Sequence, residues 1–210
     1  MYKKKFFFIV FEGVEGTGKS FQINKLYKNL KKNRINSVKT REPGGSKTAE
    51  LIRKLIFNKK SEKLDSITDF YLMNASRNEH YKKMIVPSVK KKQIVICDRF
   101  VDSTYAYQVI GCNIDKKINY LNQRYILKDF KPHLTIVLKS NFQSISKRIN
   151  KRGKKNKFDK LKKSFYKKAQ NAFLRLANKN KSKYAIFDSS LDNNKLEKKI
   201  LNLVLKKINY

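Results

Sequence analysis

Residues 13–20 read Gly13-Val14-Glu15-Gly16-Thr17-Gly18-Lys19-Ser20 and match G-x-x-x-x-G-K-S/T at every position. Glycines at that spacing let successive backbone N–H groups turn inward and let the chain approach an anion closely. A helix that starts at Lys19 would add its positive end. Lys19 suits the β- and γ-phosphate oxygens, and the Ser20 hydroxyl suits Mg²⁺. The chemistry open to this segment is phosphoryl transfer or hydrolysis from ATP or GTP.

A kinase, unlike a hydrolase, needs a second pocket that holds an acceptor in line. Two strand-like runs end in arginines suited to that pocket. Strand 36–40 runs into Thr40-Arg41-Glu42-Pro43-Gly44-Gly45. Strand 93–97 runs into Asp98-Arg99-Phe100-Val101-Asp102-Ser103-Thr104-Tyr105-Ala106-Tyr107-Gln108. In an open α/β sheet the carboxyl ends of strands face the ligand crevice. Arg41 and Arg99 can there form bidentate bonds to an acceptor phosphate.

The elements that must hold these residues alternate along the chain. Strands are expected at 5–11, 36–40, 93–97, 133–138 and 183–187. Helices are expected at 19–32, 46–57, 66–91, 115–128, 141–151, 161–179 and 192–207. Runs such as "QIVIC" and "LTIVL" are apolar throughout, as buried parallel strands require. The expected fold is a three-layer α/β domain over 1–210: a five-stranded parallel sheet with helices on both faces. Pro87 should kink or divide the 66–91 stretch. Lys151-Arg152-Gly153-Lys154-Lys155-Asn156-Lys157 has no core periodicity and reads as part of a short mobile lid over about 148–160.

Composition narrows the class. The 210 residues are 40% hydrophobic and carry only two cysteines, Cys97 and Cys112, so no disulfide framework or zinc spacing is present and a cytoplasmic home is expected. The apolar run after Lys3-Lys4-Lys5 is too short for an export signal, and no stretch approaches a membrane span. The net charge of +35 invites a nucleic-acid reading, but the lysines are spread along the whole chain and only nine of the basic residues are arginine. Solvated surface lysine is the expected explanation, with a field that attracts nucleotides.

"FEGVEGTGKS", "TREPGG" and "DRFVDSTYAYQ", in that order, resemble thymidylate kinase, and "KPHLTIVL", the basic loop and the late "FDSS" extend the resemblance over nearly the whole chain. The resemblance implies a cytoplasmic, homodimeric phosphate-loop kinase that moves the γ-phosphate of ATP to dTMP with Mg²⁺, supplying dTTP synthesis, with no specific nucleic-acid or membrane partner. It implies that Arg41 and Arg99 clamp the dTMP phosphate, that Asp98 helps Ser20 hold Mg²⁺, and that Glu15 meets the 3′-hydroxyl. Tyr107 would exclude a 2′-hydroxyl; Ser103, Thr104 and Gln108 would lie near the thymine; Arg77 would bond its carbonyl. Where the family usually stacks a phenylalanine on the base this chain has Met73, with Phe70 or Tyr71 as possible replacements. His80 and His133 read as structural. The long 66–91 stretch, with Ile67, Phe70, Met84, Ile85 and Val89, is a candidate dimer surface.

Some relatives carry an arginine directly after the acidic residue of the phosphate loop; here that position is Gly16. "SKRINKRGKKNKFDK" resembles the lid of the relatives that carry the arginine there instead. The resemblance makes Arg152 the catalytic arginine, with Arg148 nearer the adenine and Lys151 or Lys157 as substitutes. The catalytic set is then Lys19, Arg99, Arg152 and Glu15. Two alternatives stay open: another nucleotide or deoxynucleoside kinase, which Met73 allows, and a nucleic-acid-binding ATPase, which the charge allows.

Overall fold

The computed structural model describes residues 5–58, 62–151, 158, 162–190 and 193–208. Five parallel strands, β1 (Phe7–Glu12), β2 (Ser37–Arg41), β3 (Ile94–Asp98), β4 (Leu134–Lys139) and β5 (Tyr184–Asp188), form one sheet in the order β2-β3-β1-β4-β5. Each lies within two residues of its expected position. β1, the most apolar run, is central, where both faces are covered.

The period of two along β1 divides the core. Ile9 and Phe11 meet Ile23, Leu26 and Leu30 of α1 (Lys19–Lys32) and Ile200 and Val204 of α10 (Asn193–Ile208). Phe8 and Val10 face the other way, onto Val95, Cys97 and Phe100. Farther along that second face, Val137 of β4 packs on Ala169 and Phe173 of α9 (Lys163–Lys179). Each such fully buried Ile, Leu or Phe contributes about 1.5–3 kcal/mol relative to exposure. The three-layer expectation holds.

α2 (Lys47–Ile56), α3 (Ser66–His80) and α4 (Val86–Lys90) follow β2. A π-helical stretch, Tyr81–Ile85, separates α3 from α4 and ends with Val86 N–H on the Tyr81 carbonyl, so Pro87 sits in the first turn of a new helix. α5 (Val101–Thr104), a second π-helical stretch (Tyr105–Val109) and α6 (Ile110–Cys112) form a helical run at 101–112. The helix expectations passed over this run. It carries Asp102, Ser103, Thr104, Tyr107 and Gln108 inward, so it shows no clean apolar stripe. α7 (Lys116–Leu127) and α8 (Phe142–Asn150) complete the set. Of the expected lid, Arg148 to Asn150 end α8, and Lys151 and Phe158 are described; Arg152, Lys157 and the rest lie outside the described residues.

Register places the chemistry. Phe11 pairs with Asp98, and Asp98 pairs with Arg41. The carboxyl ends of β2, β3 and β1 therefore finish in one line, bringing Arg41, Asp98, Arg99 and the 13–20 loop to the same edge.

Candidate active site

The loop between β1 and α1 forms an anion cradle. Gly13 has φ 134°, and a Cβ there would lie 2.3 Å from the Leu138 carbonyl oxygen, so only glycine fits. Thr17 Oγ1 donates to Val14 O at 2.8 Å and closes the turn. Lys19 Nζ donates to Gly13 O at 2.7 Å and Val14 O at 2.9 Å, which lays the ammonium across the loop. Burial, then the nearby Arg99, brings the Lys19 pKa down to about 8. α1 has no side-chain N-cap and no acidic residue in its first turn, so its positive end stays uncompensated. Arg148 reaches over the loop from α8, donating to Gly16 O at 3.2 Å and Ser189 O at 2.6 Å.

Ser20 Oγ donates to Asp98 Oδ2 at 3.2 Å. The other oxygen, Asp98 Oδ1, is buried and has no hydrogen-bond partner among the described residues. An orphaned carboxylate oxygen beside a hydroxyl is an oxygen-only donor set, which fits Mg²⁺ rather than zinc or a soft metal.

Beside the cradle lies a second cleft, enclosing about 700 Å³ of space open to solvent. All eight residues expected to bind the acceptor line it: Arg41, Met73, Arg77, Arg99, Ser103, Thr104, Tyr107 and Gln108. Glu15, Arg53, Asp98 and Arg99 line both this cleft and the cradle, so the two spaces meet at these four side chains.

Arg99 is the hub of that meeting. Nη2 donates to Glu15 Oε1 at 2.7 Å and to Tyr107 Oη at 3.4 Å, and Nη1 donates to Ser103 Oγ at 3.0 Å. Tyr107 Oη donates to Glu15 Oε2 at 2.5 Å. Burial alone would raise the Glu15 pKa, but Arg99, Lys19 and the Tyr107 bond together hold it below the ordinary value. Arg41 differs: its guanidinium is half-exposed and forks onto Glu50 of α2, Nε to Oε1 at 3.2 Å and Nη2 to Oε2 at 2.7 Å. Exposed pairs of this kind are worth about 0–1 kcal/mol, so a dianionic ligand competes easily with Glu50.

The far end of the cleft is a buried polar network. Arg77 donates to Glu42 Oε2 at 2.8 Å, Phe100 O at 3.1 Å and Thr104 Oγ1 at 2.9 Å. Gln108 Nε2 donates to Asp69 Oδ2 at 3.0 Å. His80 is wholly buried between Glu42 and Thr40, and His133 Nδ1 accepts the Phe8 N–H, so both histidines are structural as expected. Met73 lines the cleft, but its proposed replacements do not: Phe70 is core and Tyr71 faces solvent. The cleft's aromatic rings are instead Phe57, Phe100, Tyr107 and Phe158. Phe158 meets Tyr107 edge-on at 5.2 Å and Phe57 at 5.8 Å between centroids. Phe158, within the segment expected to form a lid, thus lines the cleft.

Three functional candidates escaped the sequence reading. Arg53 lines both spaces, donates to Pro43 O at 2.7 Å and lies over the Phe57 ring. Glu50 holds Arg41 and the Gly45 N–H. Their i, i+3, i+7 spacing as Glu50, Arg53 and Phe57 was the available signal. The third, Glu12, is buried under the cleft near Asp102, which accepts from Tyr184 Oη at 2.8 Å. Burial and then the charge of Asp102 raise the Glu12 pKa to about 8, and burial raises Asp102 to about 6. Both folded values lie above the ordinary 4.5 and 3.8, so the stability this pair lends is complete at low pH and is lost as pH rises through 6 and 8. Thermal melts at constant ionic strength should show Tm falling from pH 5 to pH 8.5, with a shallower fall in Glu12→Gln. Parallel curves for the two proteins would contradict this.

A phosphate cradle and an arginine-lined cleft sharing one edge of a parallel sheet define a phosphate-loop kinase that acts on a small acceptor. The comparisons carry this further. A family model described as thymidylate kinase matches residues 11–200. The chain is 36% identical over 203 residues to a thymidylate kinase of Mycoplasma capricolum, covering 96% of this chain and 95% of that protein. It is 37% identical over 205 residues to one of Mycoplasmoides gallisepticum, covering 96% and 95%. The crystal structure of thymidylate kinase from Ehrlichia chaffeensis superposes with a TM-score of 0.77 at 30% identity, covering 95% of this chain and 99% of that one. The chain belongs to the thymidylate kinase family and is a phosphotransferase.

Proposed function

We infer that this protein transfers the γ-phosphate of ATP to dTMP, giving ADP and dTDP. The observation that carries this is the shared wall of Glu15, Arg53, Asp98 and Arg99, at which a donor's last phosphate and an acceptor's phosphate would meet end to end. The acceptor oxygen is already ionised near neutral pH, so no general base is needed. It bonds to the γ-phosphorus as the bridge to the β-phosphate breaks, and ADP leaves. Lys19 and the 13–20 amides hold donor oxygens. Arg99, with two of its five N–H donors still unused among the described residues, binds the acceptor phosphate without releasing Glu15. Arg41 joins it by exchanging Glu50 for phosphate, and Arg53 lies within the same space. Ser20 and Asp98 would hold Mg²⁺, which supplies charge neutralisation between the donor phosphates when bound. Arg152, beyond α8, provides the cation for the transferring group.

Thr104, Arg77 and Gln108 form the base end, and the Glu15–Tyr107 pair forms the sugar edge. Tyr107→Phe is expected to raise kcat/KM for ribothymidine 5′-monophosphate relative to dTMP by about 10-fold, since one contact of about 1.4 kcal/mol is removed from the 2′ position. Initial rates on the two acceptors measure it, and an unchanged ratio would remove Tyr107 from this role.

The function itself is tested by a coupled ADP assay over dTMP, UMP, dCMP, thymidine and no acceptor. Rapid turnover with dTMP and at least about 100-fold less with UMP is expected. ADP release that ignores the acceptor, or that DNA stimulates, would overturn the reading.

We also propose a cytoplasmic homodimer. Both cysteines are free, and no helix of the described residues is long and apolar enough to cross a membrane. Of the surface expected on the 66–91 stretch, Phe70 and Ile85 are in the core. Ile67 and Val89 of that surface are exposed, as are Tyr71 of α3, Leu51 and Leu55 of α2, and Leu121 of α7, the last two helices being in contact with α3. Exposed apolar side chains on three adjoining helices favour burial by a second copy. Leu51→Lys with Tyr71→Glu should give a monomer in sedimentation; an unchanged mass would exclude this face.

A further inference from the structure

Glu12 ends β1 directly under the backbone that carries Arg99, and no surface of it is exposed. Its Oε1 accepts the Phe100 N–H at 2.8 Å and the Ser103 N–H at 3.2 Å, and its Oε2 accepts the Ser103 hydroxyl at 2.6 Å. Phe100 is the N-cap of the helical run at 101–112 and has no side-chain acceptor of its own, so its N–H depends on Glu12, while the Ser103 N–H is shared between Glu12 and the Phe100 carbonyl at 3.2 Å. A carboxyl group from a neighbouring strand thus does what a local Ser or Asp does at most helix starts. Because the single Ser103 hydroxyl proton points to Glu12, Ser103 Oγ faces Arg99 Nη1 as an acceptor at 3.0 Å.

The backbone of Arg99 needs such support. Its φ is 70°, a conformation that costs a non-glycine residue about 1–3 kcal/mol and persists only where neighbours over-determine it. Arg99 N–H on Phe11 O at 2.9 Å fixes one side of the bend. The three bonds to Glu12 fix the other, immediately downstream.

We infer that Glu12 is the positioning residue for Arg99: it clamps the start of the 101–112 helix and, through Ser103, aims the guanidinium into the acceptor cleft. This rests on the reading that Arg99 binds the acceptor phosphate. Glu12 is wholly buried and lines neither the cradle nor the cleft, so its effect should fall on ligands that carry that phosphate. Glutamine at this position keeps one oxygen for the two N–H groups. Its amide then donates to Ser103 Oγ and competes with Arg99 for it.

The test is calorimetric titration of dTMP and thymidine into the parent protein and into Glu12→Gln, Ser103→Ala and Arg99→Ala. Glu12→Gln and Ser103→Ala should each weaken dTMP about 10-fold, the loss of one charge-assisted contact, and thymidine less than about twofold. In steady-state assays KM for dTMP should rise while KM for ATP stays within about twofold. If either variant fails to fold, the other carries the test. Equal losses for dTMP and thymidine would show a merely structural role, and dTMP affinity within about twofold of the parent in both variants would show none; either result overturns the inference. If Arg99→Ala lowers dTMP affinity selectively while the other two do not, the inference alone fails. If Arg99→Ala leaves the dTMP-to-thymidine ratio unchanged, the phosphate reading of Arg99 fails and takes the inference with it.

Discussion

Arg99→Ala is expected to lower kcat/KM for dTMP by about 10³-fold or more, with KM for ATP changed less than about threefold. The size follows from where the side chain sits. Among the described residues, Arg99 is the side chain that combines a place in the wall between cradle and cleft with bonds to Glu15, Tyr107 and Ser103. A fixed, largely buried cation is worth far more than one in solution. Removing it also strands a buried carboxylate, since Glu15 is only 7% exposed, and breaking such a pair costs about 3–5 kcal/mol. Alanine therefore mixes lost catalysis with lost stability. Arg99→Lys separates them: the charge remains but the fork that spans Glu15 and Ser103 is lost. Lysine should hold Tm close to the parent value while kcat/KM still falls about 10²-fold. Initial rates and thermal melts on both variants decide the matter. A lysine variant with kcat/KM within about threefold of the parent would reduce Arg99 to a structural ion pair.

Arg152→Ala should lower kcat by about 10³-fold with KM for dTMP nearly unchanged, because an arginine finger acts on the transferring charge and not on the bound acceptor. The case begins at Gly16. Its φ is 73°, and a Cβ there would lie 2.8 Å from the Ile145 carbonyl oxygen, so the phosphate loop of this chain has no room for an arginine at that position. Arg148, which reaches over the loop from the end of α8, spends both Nη groups on the carbonyls of Gly16 and Ser189. Ile149 lines the donor space, and the chain leaves α8 at Asn150 and Lys151, with Arg152 next. A single-turnover measurement at saturating ATP and dTMP isolates the step. A loss smaller than about tenfold in a folded variant would pass the role to Lys151 or Lys157.

Legibility followed the range of the interactions. The five strands and the helix beginning at Lys19 were readable because local hydrophobic period and glycine placement specify them, whatever the rest of the chain does. The helical run at 101–112 was not readable, since Asp102, Ser103, Thr104 and Gln108 turn into the site and erase the apolar stripe. The residues that line the cleft were readable as a motif, but several of their partners were not. Ser103, placed beside the base from sequence, turns its hydroxyl to Glu12, 91 residues away. Phe70 and Tyr71 offered rings at the right place in the chain, yet one faces the core and the other solvent. The rings that reach the cleft include Phe57 and Phe158, far apart in the chain and edge to face in space.

By itself, then, the sequence determined the sheet, the phosphate cradle and the kinds of side chain that gather near it, because glycine geometry, strand period and charge type are properties of short segments. Only the tertiary structure decided which groups share a wall, which arginine is already held and which is free to trade partners, and which carboxylate lies hidden beneath Arg99. Those outcomes depend on strand register and on burial, and neither exists until distant segments pack.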